Sequence, residues 1–428
     1  MSLVQLLQKL NVDKKLLDAV ESSQLTSTQN APLIAPRENA IKTIFDHFFT
    51  FAQQNRMDLG ITLAALFDLL VGLDYIELIF QPQQPKKSES SSALSANIST
   101  HSCQGEFYIP FVNSCPGCLI KHKKIVKAEG FKPQSAHIGE ASSQILSHLF
   151  ALLLQARGQH PNAQVCVARK NTEEIDVVFV FPHQKIVFLS EVKASPLVTY
   201  PALLKLHSTA LPGQDHKRTS VPIQNIQSVD LLLQSGHLLS IWTSSKRTNN
   251  FTLGWAFNSL AQSINPAWLT TYLKSWKELY DILRRRLKPS ETPKEFFLTH
   301  GCGQRDGVNV SDSKNMPGFD RTDDIKKAVY QTAAMSAKYL IDSYANSYAD
   351  KILVGIISNI GPTRHFNDYL KDILEVALFV PKKVHTSGPH YIVPRAYWRY
   401  LFDAIIAFDY RFFNNVPLKQ VVDPLFQL

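Results

Sequence analysis

Three side chains define the chemistry this chain can attempt: Asp176, Glu191 and Lys193. Glu191-Val192-Lys193 closes an apolar run that starts at Lys185-Ile186-Val187-Phe188-Leu189. Asp176 lies in a second apolar run, from Glu174 to Phe181. The connection Pro182-His183-Gln184 is short and polar, so the two runs read as a hairpin. Period-2 alternation puts Glu191 and Lys193 on one face of their strand and Glu174 and Asp176 on one face of theirs. A loop centred on His183-Gln184 sets Asp176 opposite Glu191 and Glu174 opposite Lys193. Opposed Cβ atoms lie roughly 4.5–5.5 Å apart, so the two carboxylates can share one divalent cation. Without a cation they repel each other and one pKa rises. The plainer alternative is an exposed sheet face with a Glu–Lys pair, worth little energetically.

The stretch Phe188 to Leu197 resembles the catalytic strand and following turn of the PD-(D/E)XK nucleases, type II restriction endonucleases in particular. Asp176 meets the first acid of their motif, and Glu191 and Lys193 meet its acid-x-lysine. Ile175 stands where the motif name has proline. The resemblance implies an α/β (α+β) restriction-endonuclease-like core, with a central mixed sheet flanked by helices. It implies Mg²⁺ held by Asp176 and Glu191 through hard oxygen ligands, and Lys193 orienting or deprotonating an attacking water. The expected activity is site-specific hydrolysis of double-stranded DNA. Glu140 opens a helical pattern running to about Arg157, striped by Ile145, Leu149, Leu153 and Leu154. It resembles the glutamate that a helix ahead of such a core places beside the site; an ordinary first-turn glutamate is the alternative. Arg321, Lys326, Lys327 and Gln331 sit on an expected helix, about 323–344, that the resemblance turns toward DNA. A homodimer on a symmetric site and a cognate DNA methyltransferase are the implied partners. A repair or transposition nuclease with the same core, or a non-catalytic zinc-containing DNA-binding protein, are the alternative readings.

A second acid-x-lysine, Asp312-Ser313-Lys314, competes for the catalytic role. The pattern strand 307–314, helix 323–344, strand 351–358 reads as a parallel crossover unit. Glu191 is preferred because it has an acid opposite it on a hairpin. A long insertion between the catalytic strand and the rest of the sheet reconciles both.

The cysteines form a second constellation. Cys103, Cys115 and Cys118 are followed by His122, and Cys115-Pro-Gly-Cys118 is a knuckle that brings two thiolates to one ion. These four residues are the expected ligands of a structural Zn²⁺, with His101 a rival for the histidine position. The odd count of five argues against a disulfide framework. Lys121, Lys123, Lys124 and Lys127 follow the knuckle directly.

The charge of +9 suits a nucleic-acid partner. The N-terminus does not read as a signal peptide and no apolar run reaches membrane-spanning length, so a prokaryotic cytoplasmic location with no membrane partner is expected. The elements divide into a helical N-terminal region (1–80), a Pro- and Ser-rich linker (81–100) and the zinc module with its basic stretch (101–135). The core comes in two parts (136–200 and 301–380), split by an insertion suited to base reading (201–300). Residues 381–428 form an aromatic-rich region whose helical spacing suits core or a dimer face.

Overall fold

The computed structural model describes residues 2–427 except 11, 13, 82–96, 132, 170–173, 208–214, 245–250, 286–302, 306–308, 312–317, 320–321, 341–351, 364–365 and 380–397. The N-terminal region contains α1 (Leu3–Lys9), α2 (Lys14–Ser22), the short β1 (Thr26–Ser27), α3 (Glu38–Asn55) and α4 (Leu59–Phe80). Two sheets follow. The first joins β1 to β4 (Gln164–Val167), β5 (Val177–Phe181), β6 (Ile186–Val192), β13 (Ile352–Ser358), β16 (Ala404–Ala407) and β17 (Arg411–Phe413), in that order. β4, β5 and β6 form an antiparallel meander, β13 runs parallel to β6, and β16 runs parallel to β13.

This sheet is buried on both faces, which is why its strands are unbroken apolar runs rather than alternating ones. Val177, Phe179, Phe181 and Phe188 face a core built with α3, α4 and α6 (Ser135–Arg157). Val178, Val180, Val187 and Leu189 face the other side, against α1, α2, Met335 and Tyr339. That second side is completed by α9 (Thr322–Met335), whose Ile325 and Ala328 pack on Ile356 and Ile405. Gly355 is required where β13 passes under Phe188: a Cβ there would come 2.7 Å from the Phe188 ring and 2.3 Å from the Ala404 carbonyl oxygen.

The second sheet is antiparallel throughout. Its order is β10 (Leu238–Thr243), β9 (Ile226–Leu232), β7 (Ala202–Leu206), β3 (Glu106–Ile109), β2 (Asn97–Cys103) and β8 (Arg218–Pro222). It therefore interleaves residues 97–109 with residues 202–243. The cysteine-bearing segment is not a free-standing module, and residues 97–100 of the expected linker are strand. Helices α7 (Trp255–Ser263) and α8 (Pro266–Arg284) pack with α4 into the same apolar cluster that backs the first sheet.

α4 is apolar on every side and buried nearly all round. Asp74 and Glu77 are ion-paired, and one oxygen of Asp68 is hydrogen-bonded. Arg37 reaches Asp74 at 3.2 Å and Glu77 at 2.8 Å, and Asp68 accepts from Val198 N and Trp276 Nε1, both at 2.7 Å. Among the described residues, no helix is long and apolar enough to cross a membrane.

Two expectations change here. The parallel neighbours of β13 are β6 and β16, not the 307–314 segment. The described part of that segment, β12 (Asn309–Ser311), pairs instead with β11 (Gly303–Arg305) in a separate two-stranded ribbon. Asp312 and Lys314 themselves lie outside the described residues. In the aromatic C-terminal region, 404–413 folds as strands β16 and β17 rather than a helix. Phe408 is fully buried there. Toward the C-terminus lie β14 (Ala377–Phe379), paired with β15 (Trp398–Tyr400), and α10 (Val416–Val422).

Candidate functional site

The hairpin places the acids as the sequence spacing requires. The β5–β6 ladder pairs Val177 with Ser190, so Asp176 and Glu191 oppose each other one step further out. By alternation they share a face with Val178, Val180, Val187 and Leu189, the side that α9 covers. Both are buried, Asp176 at 8% exposure and Glu191 at 1%. Asp176 Oδ2 accepts from the Val192 amide at 2.9 Å. Lys193 Nζ forms an ion pair with Glu191 Oε1. Gln331, one face of α9, donates its amide to the same oxygen at 2.6 Å when its amide is oriented to satisfy its neighbours.

Glu191 Oε2 is fully buried and no N–H group reaches it. A buried carboxylate oxygen with no donor is costly, and a cation would satisfy it. Burial, then the Asp176 charge, pushes the Glu191 carboxyl up to about 8. Burial raises Asp176 too. The pair behaves as two carboxyls sharing a proton, the electrostatic state that a divalent ion resolves.

Several contacts fix the turn that carries Lys193. The Lys193 amide donates to Ile357 O at 3.0 Å. Asn359 grips Ser195 at both ends, accepting from its amide at 3.2 Å and donating to its carbonyl at 2.9 Å. Asp68, from inside α4, holds Val198. Asn359, Asp68 and the Gln331–Glu191 contact are the parts that sequence reasoning missed. Each is a polar side chain whose partner lies far away in the chain, so no spacing signals it.

The other expected residues scatter. Glu174 does not oppose Lys193. The ladder ends at Val177, and Glu174 turns to solvent, where it binds Lys338 at 2.6 Å and the Tyr339 hydroxyl at 2.8 Å. Glu140 is exposed on α6 and accepts a 3.3 Å hydrogen bond from Gln144, one turn on. Lys326 and Lys327 are exposed on α9, with Lys326 over the Tyr369 ring at 5.1 Å. Arg321 lies outside the described residues.

The cysteine cluster closes differently from the expectation. Cys103 ends β2, Cys115 caps α5 (Pro116–His122) and Cys118 lies within it. The fourth group is His216, just before β8; the four ligand atoms lie within 4.8 Å of one another. Neither His122 nor His101 takes that place. His122 sits on the exposed end of α5 with its Nε2 against the Gln104 amide at 2.8 Å. His101 is buried with both ring nitrogens unpartnered, its ring 6.2 Å from that of His216. The strand pairing explains the exchange: β2 and β8 are adjacent, and the His216 amide donates to Ser102 O at 2.8 Å.

The donor set fits a tetrahedral ion. Cys103 and Cys118 sulfurs are 3.8 Å apart, the edge of a tetrahedron with arms of roughly 2.3 Å, as in zinc–thiolate sites. Gly117 keeps the knuckle tight, since a Cβ there would meet Cys103 Sγ at 3.0 Å. Burial pushes the Cys103 thiol up to about 11 and raises Cys115 as well. A metal would deprotonate both outright. The residues thus form two candidate centres: hard oxygens with a lysine at Asp176/Glu191/Lys193, and a soft Cys₃His group on the second sheet. Comparisons with protein-family models, curated proteins and solved structures return no match.

Proposed function

We propose that this chain is a Mg²⁺-dependent, sequence-specific endonuclease that hydrolyses phosphodiester bonds in double-stranded DNA, in the manner of type II restriction enzymes. One observation carries the reading: a buried Asp176–Glu191 pair with an unsatisfied carboxylate oxygen, and Lys193 alongside, at the end of a strand in a two-sided mixed sheet. A helix, an antiparallel meander, a covering helix and a parallel strand (α6, β4–β6, α9, β13) are the parts expected of a restriction-endonuclease-like core.

Asp176 and Glu191 would hold the Mg²⁺ through oxygen ligands. When bound, that ion supplies Lewis acidity at the scissile phosphate and lowers the pKa of a water. Lys193, released from Glu191, positions the attacking water and stabilises the charge that develops on phosphorus oxygens. Gln331 keeps Glu191 oriented from the α9 side. Lys326 and Lys327 lie exposed on the same helix and suit phosphate contacts, with Arg321 ahead of them. Glu140 belongs to the site only if DNA or metal draws it there. The Cys₃His216 group would take a structural Zn²⁺. A homodimer acting on a symmetric site, with a methyltransferase protecting that site, completes the reading.

The Cys₃His216 group also favours a second reading, a zinc-containing DNA-binding protein without catalysis. Incubation with plasmid and phage DNA in Mg²⁺ separates the two. Discrete fragments support restriction, a smear supports a nuclease without site preference, and intact DNA with retained binding supports the second reading.

A further inference from the structure

The Cys₃His216 cluster joins two segments about a hundred residues apart, and both arrive with exposed cations. Lys121, Lys123, Lys124 and Lys127 follow Cys118 and are exposed; Lys217 and Arg218 follow His216 and are exposed. The 123–130 segment folds back onto the knuckle. Lys124 N donates to Cys118 O at 3.2 Å, Cys115 N to Val126 O at 2.7 Å and Ala128 N to Asn113 O at 2.9 Å. It then meets the His216 segment directly: Lys217 pairs with Glu129 at 2.9 Å, and Arg218 Nε donates to Glu129 O at 2.8 Å. The Arg218 guanidinium also lies over the Phe131 ring at 4.8 Å. The six cations outnumber the nearby acids Glu106, Glu129 and Asp215.

We propose that these cations form a second DNA-phosphate surface, separate from Asp176, Glu191 and Lys193, and that the metal at Cys103, Cys115, Cys118 and His216 holds its two halves in register. The inference rests on DNA as the substrate. Exposed Lys–Glu pairs such as Lys121–Glu106 and Lys217–Glu129 are worth little, so these lysines can exchange a carboxylate for a phosphate at small cost. The gain comes from counterion release and carries no base specificity. The surface continues into a cavity of about 400 Å³ lined by Arg218, His137, Tyr75 and Phe131. That cavity gives the patch a concave end with Arg218 at its lip.

The test measures binding alone. The full chain carrying Glu191→Gln, loaded with zinc and free of Mg²⁺, is titrated against a short fluorescent duplex over a range of salt concentrations. Adding Lys124→Glu and Lys127→Glu should leave one bound zinc and an unchanged circular dichroism spectrum. It should weaken binding about tenfold and reduce the salt slope by roughly two, one per lost phosphate contact. Unchanged affinity and slope would overturn the proposal. In parallel, the Glu191→Gln protein stripped of zinc should bind more weakly than its loaded form, and equal affinity would remove the metal from the account. These readouts do not involve cleavage, so a failed nuclease assay and a failed surface are told apart.

Discussion

Asp176 and Glu191 face each other one step beyond the last β5–β6 pair, and one oxygen of Glu191 is buried there without a donor. Lys193 and Gln331 both serve the other oxygen. The arrangement is lopsided: two N–H donors on Oε1, none on Oε2, and a second carboxyl beside it. A cation between Asp176 and Glu191 would correct it, and the consequences can be measured.

The first concerns pH. The folded Asp176–Glu191 pair keeps its shared proton up to about 8, whereas an unfolded glutamate releases one near 4.5. Between those values the native state binds more protons than the unfolded one. In EDTA, stability should therefore fall as pH rises across that window and level off above it. Glu191→Gln should flatten the fall, as followed by thermal unfolding at pH 5 and pH 8. Divalent binding competes with the same proton, so the apparent Mg²⁺ affinity should rise with pH until about 8. A pH-independent affinity would contradict a shared proton.

Zinc content distinguishes the histidines. His216→Ala should weaken metal retention and lower the melting temperature, because a structural site contributes directly to folding. His122→Ala and His101→Ala should each keep one zinc per chain by elemental analysis. Loss of zinc in His122→Ala with retention in His216→Ala would invert the assignment.

Gln331 is expected to orient Glu191 rather than to read DNA bases. Gln331→Ala should lower the cleavage rate, within the ~100-fold range seen for losing a single polar contact at a charged centre, with little change in DNA affinity. A large loss of affinity at an unchanged single-turnover rate would place the residue in DNA contact instead.

Asp68 offers a test of the scaffold. Burial raises its carboxyl well above the usual range, while it accepts from Val198 N and Trp276 Nε1. Asp68→Asn preserves an oxygen acceptor and should change stability by no more than about 1 kcal/mol. Asp68→Leu strands both donors and should cost about 1–3 kcal/mol for each, loosening the 194–200 turn behind Lys193. Urea unfolding of the two variants checks the contrast. Equal stabilities would show that the buried contacts contribute nothing.

What the sequence made legible follows the range of each contact. The β5–β6 hairpin is local, so its register, and with it the Asp176–Glu191 pair, could be counted from the loop. The apolar runs of β5, β6 and β13 and the stripe of α6 were equally plain. His216 was not, because β2 and β8 are partners across more than a hundred residues and no local spacing joins Cys118 to it; its one signal was its place in the polar stretch Gln214-Asp215-His216-Lys217-Arg218. Glu174 was misplaced because strand propensity continues past the point where the ladder stops. The C-terminal strands were hidden by aromatic residues whose spacing also fits a helix, while Ala404-Ile405-Ile406-Ala407 is short enough to fit either.

The most direct measurement compares wild type with Glu191→Gln on one duplex substrate, at saturating DNA occupancy, with and without Mg²⁺. Mg²⁺-dependent cleavage by the wild type is expected, with a loss of ~100-fold or more in the variant and equal DNA affinity for both. Undiminished cleavage by Glu191→Gln, or wild-type cleavage that ignores Mg²⁺, would contradict the proposed Mg²⁺-dependent nuclease.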